Sequence, residues 1–600
     1  MLPLGVCAAV FLLRLGYLSF ANDHFDRISK GRQILAFGAV PFRDFFDPGF
    51  FLTLYSSAAA QAIFGDTLLG EALLTVAFIS AGSAITFVLA RQIAGSAWVA
   101  LAVTAAAVLT FPRLYNYDKV LFFPLGIFLA WRYIARPTAA RLALMAAAAG
   151  VAALYRYDSA VYVGLAAIAA VAAVNIRAPR RALTHAGLVV AGILLTIAPA
   201  LVFVGFAGDV TDAFRQIAAY ARREATRSEI FQLPHFAVDR SAPWVVRGQL
   251  VAVRWRAGVS DEARAGAEQR YTLDVGVRQD GRTWAYRLID SSVANVEALV
   301  TDPLVEDTHG IDRDGGGRGI LPRYALFPGV VTLPNAAAWL AWVLLALPIV
   351  TCLICAARGA PDRWPLLVSA SALCLSADLA LLRDPFEARI GDVAAPAVPL
   401  AAWLLAWLFR GDWASPARHF VQSAAGAILL VTAVAIAPFA TPIVSNAGSL
   451  SLERLGAAPP SPALMPSTRM LGVVEYLREC ARPHDRVLIA GFAPEVFFFA
   501  GRGFAGGMSV FFGGHWSSAG DQRTTIARLD AESAPLAILP IGDYGAFRRD
   551  FALIDAYLKT AYDEAAQSDM GNPEGEYRIL LRRGADVTGR VPPNDLPCLR

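Results

Sequence analysis

Asp23-His24-Phe25-Asp26-Arg27, followed by Gly38-Ala39-Val40-Pro41-Phe42-Arg43-Asp44-Phe45-Phe46-Asp47-Pro48-Gly49, decides how the chain is read. The stretch lies after a first apolar run, Leu2 to Phe20, and before a long series of further apolar segments, so four carboxylates sit where a membrane surface should be. Carboxylates are costly at that depth unless they have a task.

Working outward, the 600 residues are 56% hydrophobic and 17% charged, and the apolar runs are too long for soluble strands or core helices. The fold class expected is an α-helical polytopic membrane protein of about eleven transmembrane helices. A net charge of +4 is too small to suggest a nucleic-acid partner. Six cysteines are scattered, four of them (Cys7, Cys352, Cys355, Cys374) in apolar spans. They imply no disulfide framework, and a Cys480–Cys598 pairing stays open. Cys352-Leu-Ile-Cys355 lies in one hydrophobic helix with no second pair, so it reads as packing.

Leu2 to Phe20 lacks a basic leader and is interrupted by Arg14, so it reads as an uncleaved first helix. The first external loop follows, about 21–65, and within it Phe50 to Phe64 reads as an amphipathic or partly inserted helix. Further spans are predicted at 68–90, 97–112, 119–135, 142–155, 159–175, 183–206, 335–357, 365–382, 393–409 and 418–440. Arg91, Arg136 with Arg141, Arg177 with Arg180 and Arg181, Arg358 with Arg363, and Arg410 to Arg418 fall on alternate sides of successive spans. The positive-inside rule puts them all in the cytoplasm with the N-terminus, so the acidic loop and both large polar segments are external.

Four regions follow: a transmembrane module at 1–206, an extracytoplasmic α+β insertion at 207–334, transmembrane helices at 335–444, and an extracytoplasmic α/β domain at 445–600. The insertion opens on an amphipathic helix, Thr211 to Tyr220, and continues as a small β-α-β-α unit compatible with a ferredoxin-like plan. Its strands are predicted at Trp244–Trp255 and Arg282–Ile289, and its helices at Ser260–Tyr271 and Ser291–Val300. Glu306, Asp307, His309, Asp312 and Asp314 have metal-ligand residue types but read as a solvated loop. In the last region, Thr468–Cys480 and Phe547–Ala561 read as helices, and Arg486–Ala490, Ala534–Pro540 and Tyr577–Arg582 as strands. Gly501-Arg-Gly503-Phe-Ala-Gly506 matches a dinucleotide fingerprint by letter only, because no strand leads into it and no helix opens from it.

Ionisable residues recur at the external ends of five turns. They are Asp23, Asp26, Arg43, Asp44 and Asp47; Arg113, Asp118 and Lys119; Arg156 and Asp158; Asp378, Arg383 and Asp384; and Glu387, Arg389 and Asp392. Every turn holds an acid and a base, which points to a shared polar pocket facing outward.

The first loop, Leu114-Tyr-Asn-Tyr-Asp118-Lys119, Arg156-Tyr-Asp158 and Arg389-Ile-Gly-Asp392 together resemble the external loops of GT-C class membrane glycosyltransferases, the superfamily of protein mannosyltransferases and aminoarabinose transferases. The resemblance spans nearly the whole chain through short motifs, and departs from the family in the 207–334 insertion and in Asp47-Pro48-Gly49. It implies an inverting transfer of a sugar from a polyprenyl-phosphate donor to an extracytoplasmic glycan, lipid or protein; the scarcity of Lys beside abundant Arg and Ala suggests a GC-rich bacterial genome, hence a bacterial inner membrane. The resemblance makes Asp26, or else Asp23, the catalytic acid residue of the first loop and Asp118 the second acidic position. Arg43, Asp44, Lys119, Arg156, Asp158, Arg389 and Asp392 fall to donor or substrate binding. Arg suits phosphate because its planar fork binds two oxygens. A divalent cation, Mg or Mn, is compatible with these carboxylates, and no metal ligands are assigned. The rival readings are a transporter or flippase of polyprenyl-linked glycans and a non-catalytic envelope assembly protein.

Overall fold

The computed structural model describes most of residues 1–226, 250–311, 333–408 and 452–599, with short gaps, and scattered positions between 416 and 426. The chain divides into two compact units, Met1–Ser228 with Ala337–Leu464, and Glu229–Ala336 with Met465–Arg600.

The first unit is helical: α1 (Leu2–Gly16), α2 (Asn22–Phe37), α3 (Phe51–Phe64), α4 (Leu69–Ala94), α5 (Ala97–Val108), α6 (Tyr117–Ala135), α7 (Ala139–Tyr155), α8 (Ser159–Val174) and α9 (Pro179–Ala207) come before the insertion, and α10 (Val210–Thr226) opens it. After it come α12 (Leu333–Ala357), α13 (Trp364–Asp378) and α14 (Phe386–Leu408), while the span predicted at 418–440 lies almost wholly outside the described residues. The apolar helices stand where hydropathy predicted them, whereas α2 is a polar helix of 16 residues inside the stretch read as the first external loop. By length and apolar composition alone, two qualify as membrane spans among the described residues, α4 and α9.

Small residues let these helices approach closely. A Cβ at Gly82 of α4 would come within 2.0 Å of the Val120 carbonyl oxygen of α6, so the two backbones touch. Between α7 and α9, a Cβ at Gly150 would come within 2.6 Å of Thr196. The core joins Ile127, Ala149, Val163, Ala370, Leu400 and Trp403 from five helices. Arg14, which interrupts the first apolar run, is buried and donates to the Pro112 carbonyl at 2.8 Å, tying α1 to the loop before α6.

The insertion forms a four-stranded antiparallel sheet of β1 (Leu250–Trp255), β2 (Leu273–Asp280), β3 (Thr283–Leu288) and β4 (Val305–Ile311), in the order β2-β3-β1-β4. That order is the split β-α-β plan of ferredoxin-like domains. Helix α11 (Asp261–Arg270) links β1 to β2 and is capped by Ser260, whose Oγ accepts from the Ala263 amide at 3.2 Å. Glu306, Asp307 and His309 are on β4, so the predicted loop is an edge strand. Its charged outward residues mask the alternation that marks a strand, and Glu306 pairs with Arg282 at 2.6 Å. Asp312 and Asp314, residues 244–249, and most of 289–300 lie outside the described residues.

The C-terminal domain has a five-stranded mixed sheet: β5 (Arg486–Ile489), β6 (Gly503–Phe504), β7 (Leu536–Pro540), β8 (Tyr562–Ser568) and β9 (Tyr577–Arg582), in the order β6-β5-β7-β9-β8. Strand β5 pairs in parallel with β6 and β7, and β9 runs antiparallel to β7 and β8. The helices are α15 (Leu471–Cys480), α16 (Glu495–Ala500), α17 (Ala519–Glu532), α18 (Tyr544–Asp550) and α19 (Ala552–Ala561). The helix predicted at 547–561 is thus two, broken at Phe551. Gly501 ends α16 in the left-handed region and Gly503 lies in β6, so the fingerprint letters do not form a phosphate loop. Cys480 and Cys598 form a disulfide.

Candidate functional site

The first loop is built by local hydrogen bonding. Gly38 ends α2 in the left-handed conformation, with φ of 62°. Asp44 Oδ2 then accepts from the Val40 amide at 2.7 Å, and Asp47 Oδ2 accepts from the Gly49 and Phe50 amides at 3.2 and 3.0 Å, turning the chain into α3. The loop is clamped to the bundle by His24, whose Nε2 meets Glu71 Oε1 of α4 at 2.8 Å while Ser57 of α3 donates to the other Glu71 oxygen at 2.8 Å. Burial drives His24 toward its neutral form against the pull of Glu71.

Charged residues from four segments converge beside this loop. Asn116 Nδ2 donates to both carboxylate oxygens of Asp392, at 2.8 and 3.0 Å, and Lys119 Nζ donates to Asp392 at 2.9 Å. Arg156 reaches Asn116 Oδ1 at 3.2 Å and Asp158 at 2.9 Å. Arg27 donates to the Tyr115 carbonyl. The Phe50 ring lies 4.7 Å from the Arg27 guanidinium and 5.2 Å from that of Arg156.

Asp118 sits among these groups, 1% exposed, and neither of its oxygens accepts a hydrogen bond. The charges of Arg156, Arg27 and Lys119 attract its proton-free form, and Asp158 opposes them. An acid buried without hydrogen bonds carries a desolvation cost, which is the largest influence here and which these cations offset only in part.

The remaining predicted residues divide. Asp23 is exposed and accepts no hydrogen bond among the described residues, and its charge acts on Arg113, Tyr115 and Tyr220. Asp26 is paired with the buried Lys30 at 2.8 Å. Arg43 and Asp44 pair with one another through two contacts, 2.6 and 2.8 Å, near the end of α9. They are thus held as a separate surface pair, because Asp44 is committed to the Val40 turn. The Arg389 side chain, Arg383 and Asp384 lie outside the described residues, and Asp378 is buried in α13 with both oxygens unbonded.

Helix α10 closes one side of this unit. Gln216 donates to the Phe42 carbonyl at 2.9 Å and accepts from the Asp47 amide at 3.2 Å, and Tyr220 packs edge-on to Tyr157. Asp47 is completely buried here, and desolvation pushes its carboxyl up to about 6 despite Lys30 and two amide donors.

Sequence reasoning missed Arg27, Lys30, Phe50, Glu71, Asn116 and Gln216. Arg27 and Lys30 were legible, since they follow Asp23 and Asp26 at the spacing of four that puts residues on one helix face. Asn116 lies inside a quoted motif, whereas nothing local marks Glu71 or Gln216.

Among the described residues no group of three His, Cys, Asp or Glu side chains converges as a metal site. The acids of the cluster face guanidinium and ammonium groups, a donor set unlike the oxygen cage of a hard divalent cation. No protein family matches the chain, and no curated protein is significantly similar to it.

Proposed function

We propose that the chain is an integral-membrane inverting glycosyltransferase of GT-C type that moves a sugar from a polyprenyl-phosphate donor to an extracytoplasmic glycan, lipid or protein. The observation that carries this reading is the buried convergence of Arg27, Lys119 and Arg156 around the unbonded Asp118 carboxylate. Three cations drawn from α2, α6 and the α7–α8 turn are a cradle for a phosphate.

In the proposed step, an acceptor hydroxyl attacks the anomeric carbon and the bond from that carbon to the phosphate oxygen breaks. The polyprenyl phosphate leaves with the electron pair, and the hydroxyl proton passes to a carboxylate. Asp23 fits the base because it is exposed and its carboxylate accepts no hydrogen bond among the described residues, and Asp26, held by Lys30, fits a supporting role. Arg27 and Arg156 stabilise the charge that develops on the leaving phosphate.

A membrane location is supported by α9, a helix of 29 residues that presents Leu183, Leu188, Leu194, Leu195, Val202 and Phe206 on its surface. An extracytoplasmic C-terminal domain is supported by the Cys480–Cys598 disulfide, since such bonds persist in oxidising compartments. The carrier reading draws on one observation, the unbonded Asp378 inside the bundle.

The test is turnover. Protein in lipid nanodiscs is incubated with a panel of radiolabelled polyprenyl-phosphate sugars and bacterial membranes. The proposal expects label to be transferred from one donor, with a loss of a hundredfold or more in Asp23→Asn or Asp118→Asn. Transfer at the wild-type rate in both variants would reject the assigned roles, and movement of an intact donor across a bilayer without transfer would favour the carrier.

A further inference from the structure

The C-terminal domain has a ligand-binding edge of its own. Its parallel strands run β5-α16-β6-α17-β7 with β5 in the middle. Helix α16, after β5, packs with α15, and α19, after β7, packs with α17. Right-handed crossovers from β5 outward to β6 and from β6 back across to β7 put α16 and α17 on opposite faces, and α19 shares the face of α17, so the connections leaving β5 and β7 depart to opposite faces. That is the switch point at which open α/β sheets bind ligands, outside the carboxyl ends of their strands.

The residues gathered there have a definite chemistry. The segment after β6 crosses to this edge, where the Phe511 amide donates to the Gly491 carbonyl at 2.9 Å. An aromatic run follows the edge: Phe492 meets Phe512 at 6.2 Å, Phe512 meets His515 at 5.4 Å, and His515 meets Trp516 at 6.1 Å between ring centres. Phe492 is 39% exposed at the outer end of this run. Asp550 folds back onto the same segment: its Oδ2 lies so close to Gly513 that a Cβ there would come within 2.2 Å, while its Oδ1 accepts from Arg549 Nε at 3.2 Å.

A nucleotide does not suit this edge. The β5–α16 turn, Ala490-Gly491-Phe492-Ala493-Pro494, has one glycine. The first helical residue after it is Glu495, a buried acid with an unbonded Oε2 where a phosphate would have to sit. Aromatic faces with a neighbouring carboxylate instead match a neutral polyhydroxylated ring, whose C–H face packs on the aromatics while its hydroxyls donate to Asp550. We infer that the Phe492–Phe512 edge of the C-terminal domain, backed by the buried His515 and flanked by Asp550, is a carbohydrate-binding site. This inference does not require the transferase reading.

Full-length protein in lipid nanodiscs, free of sugar-headed detergents, is titrated calorimetrically with mannohexaose, chitohexaose, cellohexaose and their monosaccharides, with UMP as the anionic probe. Saturable binding of at least one hexaose is expected, weakened roughly tenfold in Phe492→Ala and in Asp550→Asn, as loss of one aromatic or one charged contact would do. Tighter binding of the hexaose than of its monosaccharide would identify a glycan chain as the ligand, and equal binding a free sugar. No saturable sugar binding, equal binding by wild type and both variants, or preference for UMP would each overturn the inference. Sugar binding without transfer from any donor would leave it standing while counting against the transferase.

Discussion

Two buried acids, one in each unit, show how surroundings set a carboxylate's character. Asp118 in the helical unit and Glu495 in the C-terminal domain are both about 1% exposed, and each has an unbonded carboxylate oxygen. Around Asp118 stand Arg27, Lys119 and Arg156. Around Glu495 desolvation dominates, with its own backbone as the one opposing influence, and its carboxyl is pushed up to about 7. Desolvation dominates at both, but at Asp118 three cations offset part of it, whereas among the described residues no cation enters the balance at Glu495. Only the first arrangement is suited to handling an anionic leaving group.

The largest test of this contrast is removal of a cation. Lys119→Met leaves Asp392 buried beside Asn116 with its ion pair broken, a defect of about 3–5 kcal/mol. A fall in thermal midpoint is expected, recovered in part by the double variant Lys119→Met/Asp392→Asn. Recovery of stability without recovery of transfer would separate the fold from the chemistry.

Glu495 makes the opposite prediction. Its folded pKa lies above the unfolded value of 4.5, so the folded domain binds more protons between the two values and loses stability as pH rises from about 4.5 through about 7. Glu495→Gln should remove that slope and stabilise the domain at pH 8 by an amount on the order of 3 kcal/mol at most. Chemical denaturation at pH 5 and pH 8 measures it, and an equal pH slope in the variant would contradict the account.

Asp47 sharpens the comparison within the helical unit, since it is buried at the joint with α10 and raised from 3.8 to about 6. By the same sign, the joint loses stability from about pH 4 to pH 6. Asp47→Asn keeps an oxygen for the Gly49 and Phe50 amides, so slower hydrogen exchange of those amides is expected at pH 7, by about tenfold. The smallest effect belongs to Arg43→Gln. An exposed ion pair contributes roughly 0–1 kcal/mol, and the thermal midpoint should move by no more than a degree or two.

The helices were legible because apolar runs of that length leave little choice: α6 and α8 begin within a few residues of the predicted spans, while α14 starts earlier, at Phe386. Strands β4 and β8 were not legible. Both are polar edge strands, and pairing with β1 and β9 rather than local pattern makes them strands. The site was half legible. Asp118, Lys119, Arg156, Asp158 and Asp392 converge as their turns suggested. Arg43 and Asp44 do not join them, because adjacency in the first loop says nothing about which side of the Pro41 turn a side chain takes. Glu71 and Gln216 gain their roles through contacts 47 and 169 residues away along the chain, which no local pattern encodes.

The central claim is that the cations around Asp118 hold a lipid phosphate. The most direct measurement is equilibrium binding of polyprenyl monophosphate to the full chain in nanodiscs, for wild type, Arg156→Gln and Arg43→Gln. The account predicts at least thirtyfold weaker binding in Arg156→Gln and wild-type binding in Arg43→Gln. Equal binding by all three, or a loss confined to Arg43→Gln, would contradict it.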